Sequence, residues 1–263
     1  MSLTGENRIL VKEGLKRIRH TKNIGLQALM QACNVQPENI SAYHFGYVLG
    51  PCVNATGRLD TARHALRLFE TGQETEAEEI ARDLVDLNQE RKELTLQGVE
   101  MAKKLCEEGG YENDPVLVLF LPDVHESIAG LIAGRIREMY NRPVFVLTRG
   151  EEGVKGSGRS TENYSMYENM CGCAELFTKF GGHPMAAGLS LPEENVEKFR
   201  RKINENCPLT VEEVCPDITL TWPCRWDMRV RNWSISLHFW SRLEKTIHLH
   251  CLQTGICPSA ACG

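Results

Sequence analysis

From Glu74 to Glu108 the chain runs without proline and with a single glycine, Gly98, until Gly109-Gly110 stops it. Glu, Lys, Gln and Leu dominate this run, and Ala77, Ile80, Ala81, Leu84, Val85 and Leu87 form one apolar stripe at helical spacing. The pattern predicts a helix of roughly 50 Å at 1.5 Å per residue, the length of a connector between two lobes. The sequence on either side of it differs in kind. Before it, apolar positions keep helical spacing: Ile9, Leu10, Leu15 and Ile18, then Ile24, Leu26, Leu29 and Met30, then Ser41 to Phe69 with an interruption at Gly50-Pro51. After it, strand patterns at Pro115–Leu121, Pro143–Leu147, Lys155–Ser160 and Ala187–Leu191 alternate with helix patterns at Glu126–Tyr140, Tyr164–Phe180 and Pro192–Asn206. That alternation predicts an α/β domain over about 112–207.

At 263 residues and 42% hydrophobic composition the chain can bury a substantial core, with length for one or two domains. The longest apolar run, Val116 to Leu121, is strand-length, so the sequence offers no membrane span and no signal-peptide segment. Eleven cysteines, odd in number and scattered, fit reduced thiols better than a disulfide framework, and a cytoplasmic location is the expectation. A net charge of −5 argues against indiscriminate nucleic-acid binding but leaves room for a local basic groove.

Two glycine-rich stretches stand out, Gly156-Ser157-Gly158-Arg159-Ser160 and Gly181-Gly182-His183, expected at strand ends and helix starts. Glycine lets backbone approach a ligand closely, while Ser, Arg and His donate to phosphate oxygens. Glycine-flanked Ser and Arg also occur in plain turns, but the second motif so soon after the first favours an anion site. His183 suits phosphate contact better than metal ligation, because no Cys or carboxylate stands near it at ligand spacing. Cys171-Gly172-Cys173 lacks the second pair a zinc site needs. In the stretch Pro51 to Asp60, Asn54 and Arg58 either face one ligand from a turn before a helix or belong to a helix start, with Asn54 or Thr56 capping and Arg58 paired to Asp60.

Four stretches in order carry a resemblance: Leu3-Thr4-Gly5-Glu6-Asn7-Arg8, Gly50 to Asp60, Lys155 to Ser160, and Phe180 to Leu189. Over residues 3–216 the chain resembles the RecJ-type single-stranded-DNA-specific exonucleases of the DHH phosphoesterase superfamily, in the C-terminal part of their catalytic core. The resemblance implies a helical remnant of the DHH lobe over 1–72, a connector helix over 73–110 and a DHH-associated substrate-binding domain over 111–216. It implies that Ser157, Gly158, Arg159, Ser160, Gly181 and Gly182 grip the strand, that Ser157 and Arg159 hold the 5′ phosphate of single-stranded DNA, that His183 contacts a phosphate near the cleavage point, and that Asn54 and Arg58 lie towards the catalytic cleft. At His125-Glu126-Ser127 the family usually has glycine where Ser127 stands.

The family cleaves with two divalent metals, Mn²⁺ or Mg²⁺, held by aspartates and an Asp-His-His motif. This sequence contains no Asp-His-His. The segment like Leu3–Arg8 follows the last metal-binding aspartate in the family, so the chain by itself is expected to bind no metal and to be inactive as a nuclease. A related phosphoesterase acting on short oligoribonucleotides or nucleoside bisphosphates shares the Gly-Gly-His loop, but the Gly50–Asp60 stretch argues against it; a non-catalytic nucleic-acid-binding module is the other alternative.

Composition breaks near residue 218, beyond which lie all four tryptophans. Back-translated with free wobble bases and read in a shifted frame, Leu220–Met228 gives Asp-Val-Ala-Met-Pro-Met-Gly-Tyr, and Leu237–Ile247 permits Ala-Leu-Leu-Glu-Pro-Phe-Gly-Lys-Asp-Asn-Thr, close to the segment that follows the DHH-associated domain in the family. Residues 217–263 are therefore expected to be a frameshifted tail without a native fold.

Overall fold

The structure is a computed structural model that describes residues 4–209 except 60, 112–113 and 151–152. The expected frameshifted tail, with its tryptophans, lies outside the described residues, as do Leu3 and Asp60.

The N-terminal part is helical: α1 (Gly5–Ile18), α2 (Ile24–Ala32), the single turn α3 (Ala42–His44), α4 (Gly50–Leu59) and α5 (Ala62–Glu70). Asn23 starts α2 by accepting from the Leu26 N–H at 2.8 Å, which satisfies one of the donors a helix start leaves open. Between α3 and α4 the chain makes a π-helical segment, Phe45–Leu49, with the Gly50 N–H bonded to the Phe45 carbonyl. Pro51 has no N–H to give, so the hydrogen-bond ladder slips by one residue here instead of breaking. The expected interruption at Gly50-Pro51 is thus a bulge in a continuous helical path. Nothing on α1 is buried, and Ile9 and Leu10 are well exposed.

Helix α6 (Glu74–Glu108) is 35 residues long, about 52 Å at the ordinary rise. It serves two cores. Its N-terminal half buries Ala77, Ile80, Ala81 and Leu84 among Leu29, Met30, Cys52 and Leu68 from α2, α4 and α5. Its C-terminal half buries Val99, Ala102 and Cys106 against the second part of the chain. Gly98 lies where α7 (Glu126–Tyr140) crosses: a Cβ there would stand 2.4 Å from Ile132 Cδ1.

That second part is a five-stranded sheet in the order β1-β2-β3-β5-β4, with β1 Leu117–Phe120, β2 Val144–Gly150, β3 Gly153–Arg159, β4 Lys179–His183 and β5 Ala186–Leu191. Only β1 and β2 are parallel, joined through α7; the other pairs are antiparallel. Gly153 turns the chain into β3 at φ +110°, a conformation that favours glycine. Helices α6 and α7 cover one face over Leu117, Leu119, Val144 and Val146. Helices α8 (Met166–Cys171) and α9 (Val196–Glu205) cover the other, where Phe145, Phe199 and Phe177 meet edge to face at 5.1–5.2 Å.

One expected element is different. Tyr164–Phe180 is not one helix but α8, a 3₁₀ turn at Ala174–Leu176 and then strand β4. Gly172 and the edge pairing offered by β5 end the helix early, and sheet pairing overrides the local pattern. Among the described residues no helix is long and apolar enough to cross a membrane.

Candidate nucleic-acid interface

Both glycine motifs lie at the C-terminal ends of strands, β3 and β4, as expected, but neither opens a helix, so the glycines serve the sheet and not a helix start. The reason is lateral crowding. A Cβ on Gly156 would come within 2.4 Å of Leu147 Cδ2, and one on Gly158 within 2.6 Å of Met166 Sδ and 2.8 Å of the Phe145 ring. Large core side chains fill the space above these two positions. Because side chains alternate along a strand, Ser157 and Arg159 point the other way, towards α7.

Helix α7 makes room for them with Gly130, where a Cβ would meet Arg159 Nη2 at 2.7 Å and Ser157 Oγ at 2.9 Å. On this face the register sets up three rows. His183, Ala186 and Arg159 lie side by side; Gly181, Gly188 and Ser157 form the next row; Lys179, Ser190, Lys155 and Thr148 form the third. With strands about 4.8 Å apart, His183 is about 10 Å from Arg159 across the sheet. A groove of about 380 Å³ follows the second and third rows, walled by Glu126, Ser127, Thr148, Lys155, Ser157 and Lys179. Lys155 is paired with Glu126 at 2.6 Å, and the buried Thr148 hydroxyl has no hydrogen-bond partner.

Arginines from four elements converge beside this face. Arg58, on the last turn of α4, donates from Nη1 to the Ser127 carbonyl at 2.5 Å, tying the helical part to the start of α7. Arg159 donates to the Gly158 carbonyl at 2.7 Å, and burial together with the charges of Arg58 and Arg137 pushes its guanidinium below the ordinary value. Arg91 on α6 is lowered in the same way, by burial and then by Arg58 and Arg135. Its own donors go to Asn88 Oδ1 at 2.9 and 3.2 Å. Among the described residues, Arg58, Arg91, Arg135 and Arg159 pair with no carboxylate. Guanidinium groups gathered against mutual repulsion, with carbonyl oxygens as partners, make a site complementary to a polyanion.

The expected residues divide. Ser157, Arg159 and Arg58 come together. Asn54 is exposed on α4 one turn before Arg58, in a helix and not in a turn. Thr56 does not cap; it is buried, and its hydroxyl donates to the Val53 carbonyl. Ser160 is withdrawn from the face: it is fully buried, its hydroxyl donates to the Tyr164 carbonyl and its N–H to the Met185 carbonyl. Gly158 and Gly182 lend their shape to the core side, Gly181 is exposed on the groove side, and His183 is exposed at the end of the edge strand. His125 caps α7, accepting from the Ser127 N–H. The sequence reading missed Lys155, Lys179, Gly130, Arg91, Arg135 and Arg137. Alternation at 155/157/159 and 179/181/183 carries the signal for the lysines, and a glycine in mid-helix carries it for Gly130.

Among the described residues no three His, Cys, Asp or Glu side chains come together to hold a metal ion. The described residues therefore offer no ligand set that fits a metal pair.

Residues 113–207 match the DHHA1 domain family. The single-stranded-DNA-specific exonuclease RecJ of Salmonella typhimurium is 38% identical over 213 residues, covering 77% of this chain and 37% of that protein. The RecJ of Bacillus subtilis is 32% identical over 213 residues, covering 80% of this chain and 27% of that protein. Among solved structures, RecJ from Thermus thermophilus in complex with Mg²⁺ superposes with a TM-score of 0.69 at 33% identity, over 78% of this chain and 32% of that one. The chain thus spans between about a quarter and a little over a third of the length of these curated relatives. With the DHHA1 match, the identity over most of the chain and the shared fold in agreement, the chain belongs to the RecJ family, over a part of it that contains the DHHA1 domain.

Proposed function

We propose that this chain grips single-stranded DNA by its 5′ phosphate, as the strand-holding part of a metal-dependent 5′→3′ exonuclease working in DNA repair and recombination in the cytoplasm. Ser157 Oγ and the Arg159 guanidinium donate to the terminal phosphate, Arg58 adds charge from the facing helix, and His183 meets a second phosphate further across the sheet. Lys155 and Lys179 line the groove along which the strand runs. Phosphodiester hydrolysis in such an enzyme is supplied by two Mn²⁺ or Mg²⁺ ions on aspartates and an Asp-His-His motif; this sequence has no such motif, and the chain by itself is expected to bind without cutting. Residues 1–72, 73–110 and 111–216 act on this reading as lobe remnant, connector and substrate domain.

What supports the reading most is the meeting of Arg58, Arg91 and Arg159, drawn from three elements far apart in sequence and without carboxylate partners among the described residues. Competition binding tests it. A labelled 5′-phosphorylated single strand is expected to be displaced by its own kind well before duplex DNA or heparin; equal, weak displacement by any polyanion overturns the proposal.

A further inference from the structure

Cys33 follows the last turn of α2, Cys52 lies in the first turn of α4, and their sulfurs are 3.8 Å apart. Helix α6 packs on both helices and places Asn88 Nδ2 3.4 Å from Cys52 Sγ, with the Val48 carbonyl 3.3 Å from the same sulfur. Cys52 is buried, while Cys33 is part-exposed. The pair therefore joins a residue at the edge of the core, part-exposed to solvent, to an enclosed one whose sulfur is in contact with it. We propose that Cys33 and Cys52 are a redox-modification site, a dithiol that a hydroperoxide converts to a disulfide linking α2 to α4.

The steps balance with hydrogen peroxide as oxidant. Cys33 attacks the O–O bond as the thiolate, the minor form in which Cys52 keeps the proton of the pair; that bond breaks, the departing hydroxide recovers the proton Cys33 released and leaves as water, and Cys33 becomes a sulfenic acid. The Cys52 thiolate then attacks the Cys33 sulfur. The S–O bond breaks, hydroxide leaves and takes up the proton that Cys52 gave up, and the S–S bond forms. Two thiols are oxidised by two electrons in all, and one peroxide is reduced to two waters. The sulfurs must close from 3.8 Å to about 2.05 Å, a small movement for side chains on two packed helices.

The surroundings favour the resolving role of Cys52. The hydrogen bond from Cys33 outweighs the cost of burial, Lys92, Asn88 and Arg91 add to it, and the Cys52 thiol comes down to about 7. The Cys33 thiol is pushed up by that same hydrogen bond and by burial. The pair thus shares one readily lost proton, and the charge settles on the enclosed sulfur that must attack second.

The test is peptide mapping of the full 263-residue chain after brief exposure to hydrogen peroxide, with the remaining thiols alkylated before digestion. The expected result is a Cys33–Cys52 disulfide peptide, absent after treatment with dithiothreitol, and formed roughly tenfold faster in the folded chain than in urea. In the Cys33→Ser chain Cys52 is expected to stay alkylatable under the same exposure. Recovery of Cys33 as sulfinic acid with Cys52 still a free thiol overturns the proposal, as does oxidation confined to the exposed Cys171. Mapping of the unsubstituted chain decides the matter even where Cys33→Ser fails to fold.

Discussion

Gly130 of α7 stands directly over Arg159 of β3: a methyl group in place of its hydrogen would lie 2.7 Å from the guanidinium Nη2 and 2.9 Å from Ser157 Oγ. Both neighbours are mobile ends of side chains, so they can move aside at little cost to folding. Gly130→Ala is therefore expected to leave the thermal midpoint unchanged or slightly raised, since alanine in a helix is favoured by up to about 1 kcal/mol. It is expected to weaken binding of a 5′-phosphorylated single strand by roughly tenfold, because both donors are displaced. Unchanged affinity with unchanged stability would contradict the geometry.

Removing a cation that neutralises one phosphate changes the salt dependence of binding as well as its strength. For single strands the slope of log K against log salt falls by about 0.7 for each phosphate no longer neutralised. Arg58→Ala and Lys179→Ala are each expected to reduce the slope by that amount. A slope that is unaltered in both variants would place the strand elsewhere.

The two glycines of β4 differ in what surrounds them. At Gly181 a Cβ meets nothing within 4 Å, whereas at Gly182 it would stand 2.5 Å from the Ala186 carbonyl oxygen and 2.7 Å from Ala187 Cα. Backbone cannot swing aside as a side chain can. Gly182→Ala is expected to cost about 1–3 kcal/mol by prising β4 from β5, and Gly181→Ala to cost far less. Urea denaturation of the two variants gives the comparison directly.

Alkaline stability follows from Cys173, which is fully buried and whose thiol burial pushes from its ordinary value near 9 up to about 11. The unfolded chain loses this proton first, so the contribution is fully present below about pH 9 and is lost as pH rises towards 11. Two units correspond to about 3 kcal/mol. Urea denaturation at pH 8 and pH 11 under a phosphine reductant is expected to show a drop that shrinks in Cys173→Ala; an equal drop in both chains would contradict it.

Much of this architecture is legible in the chain because the signals are local and long. The run from Glu74 to Glu108 has no breaker but Gly98, and α6 occupies it end to end. The α7 pattern at Glu126–Tyr140 is equally clean. The strand at Lys179–His183 is hidden, because Lys-Phe-Gly-Gly-His has weak strand preference and gains its form from pairing with β5. At the site, Ser157, Arg159 and Arg58 stand out in sequence, yet no pattern within the chain brings Arg58 to the Ser127 carbonyl 69 residues away. Ser160 misleads because its place in the motif looks like that of Ser157, while its odd-even position after Arg159 turns it into the core. Arg91, Arg135 and Arg137 look like ordinary helix-surface charges until the packing of α4, α6 and α7 brings them beside Arg58 and Arg159.

Recognition of the 5′ phosphate by Ser157 and Arg159 is tested most directly by fluorescence anisotropy of one single-stranded oligonucleotide carrying either a 5′ phosphate or a 5′ hydroxyl, titrated with the unsubstituted chain and with Arg159→Ala. The unsubstituted chain is expected to prefer the phosphorylated strand by roughly 10–100-fold, as one or two charge-assisted hydrogen bonds provide, and Arg159→Ala is expected to erase the preference. Equal affinity for the two strands in the unsubstituted chain, or a preference that survives in Arg159→Ala, would contradict it.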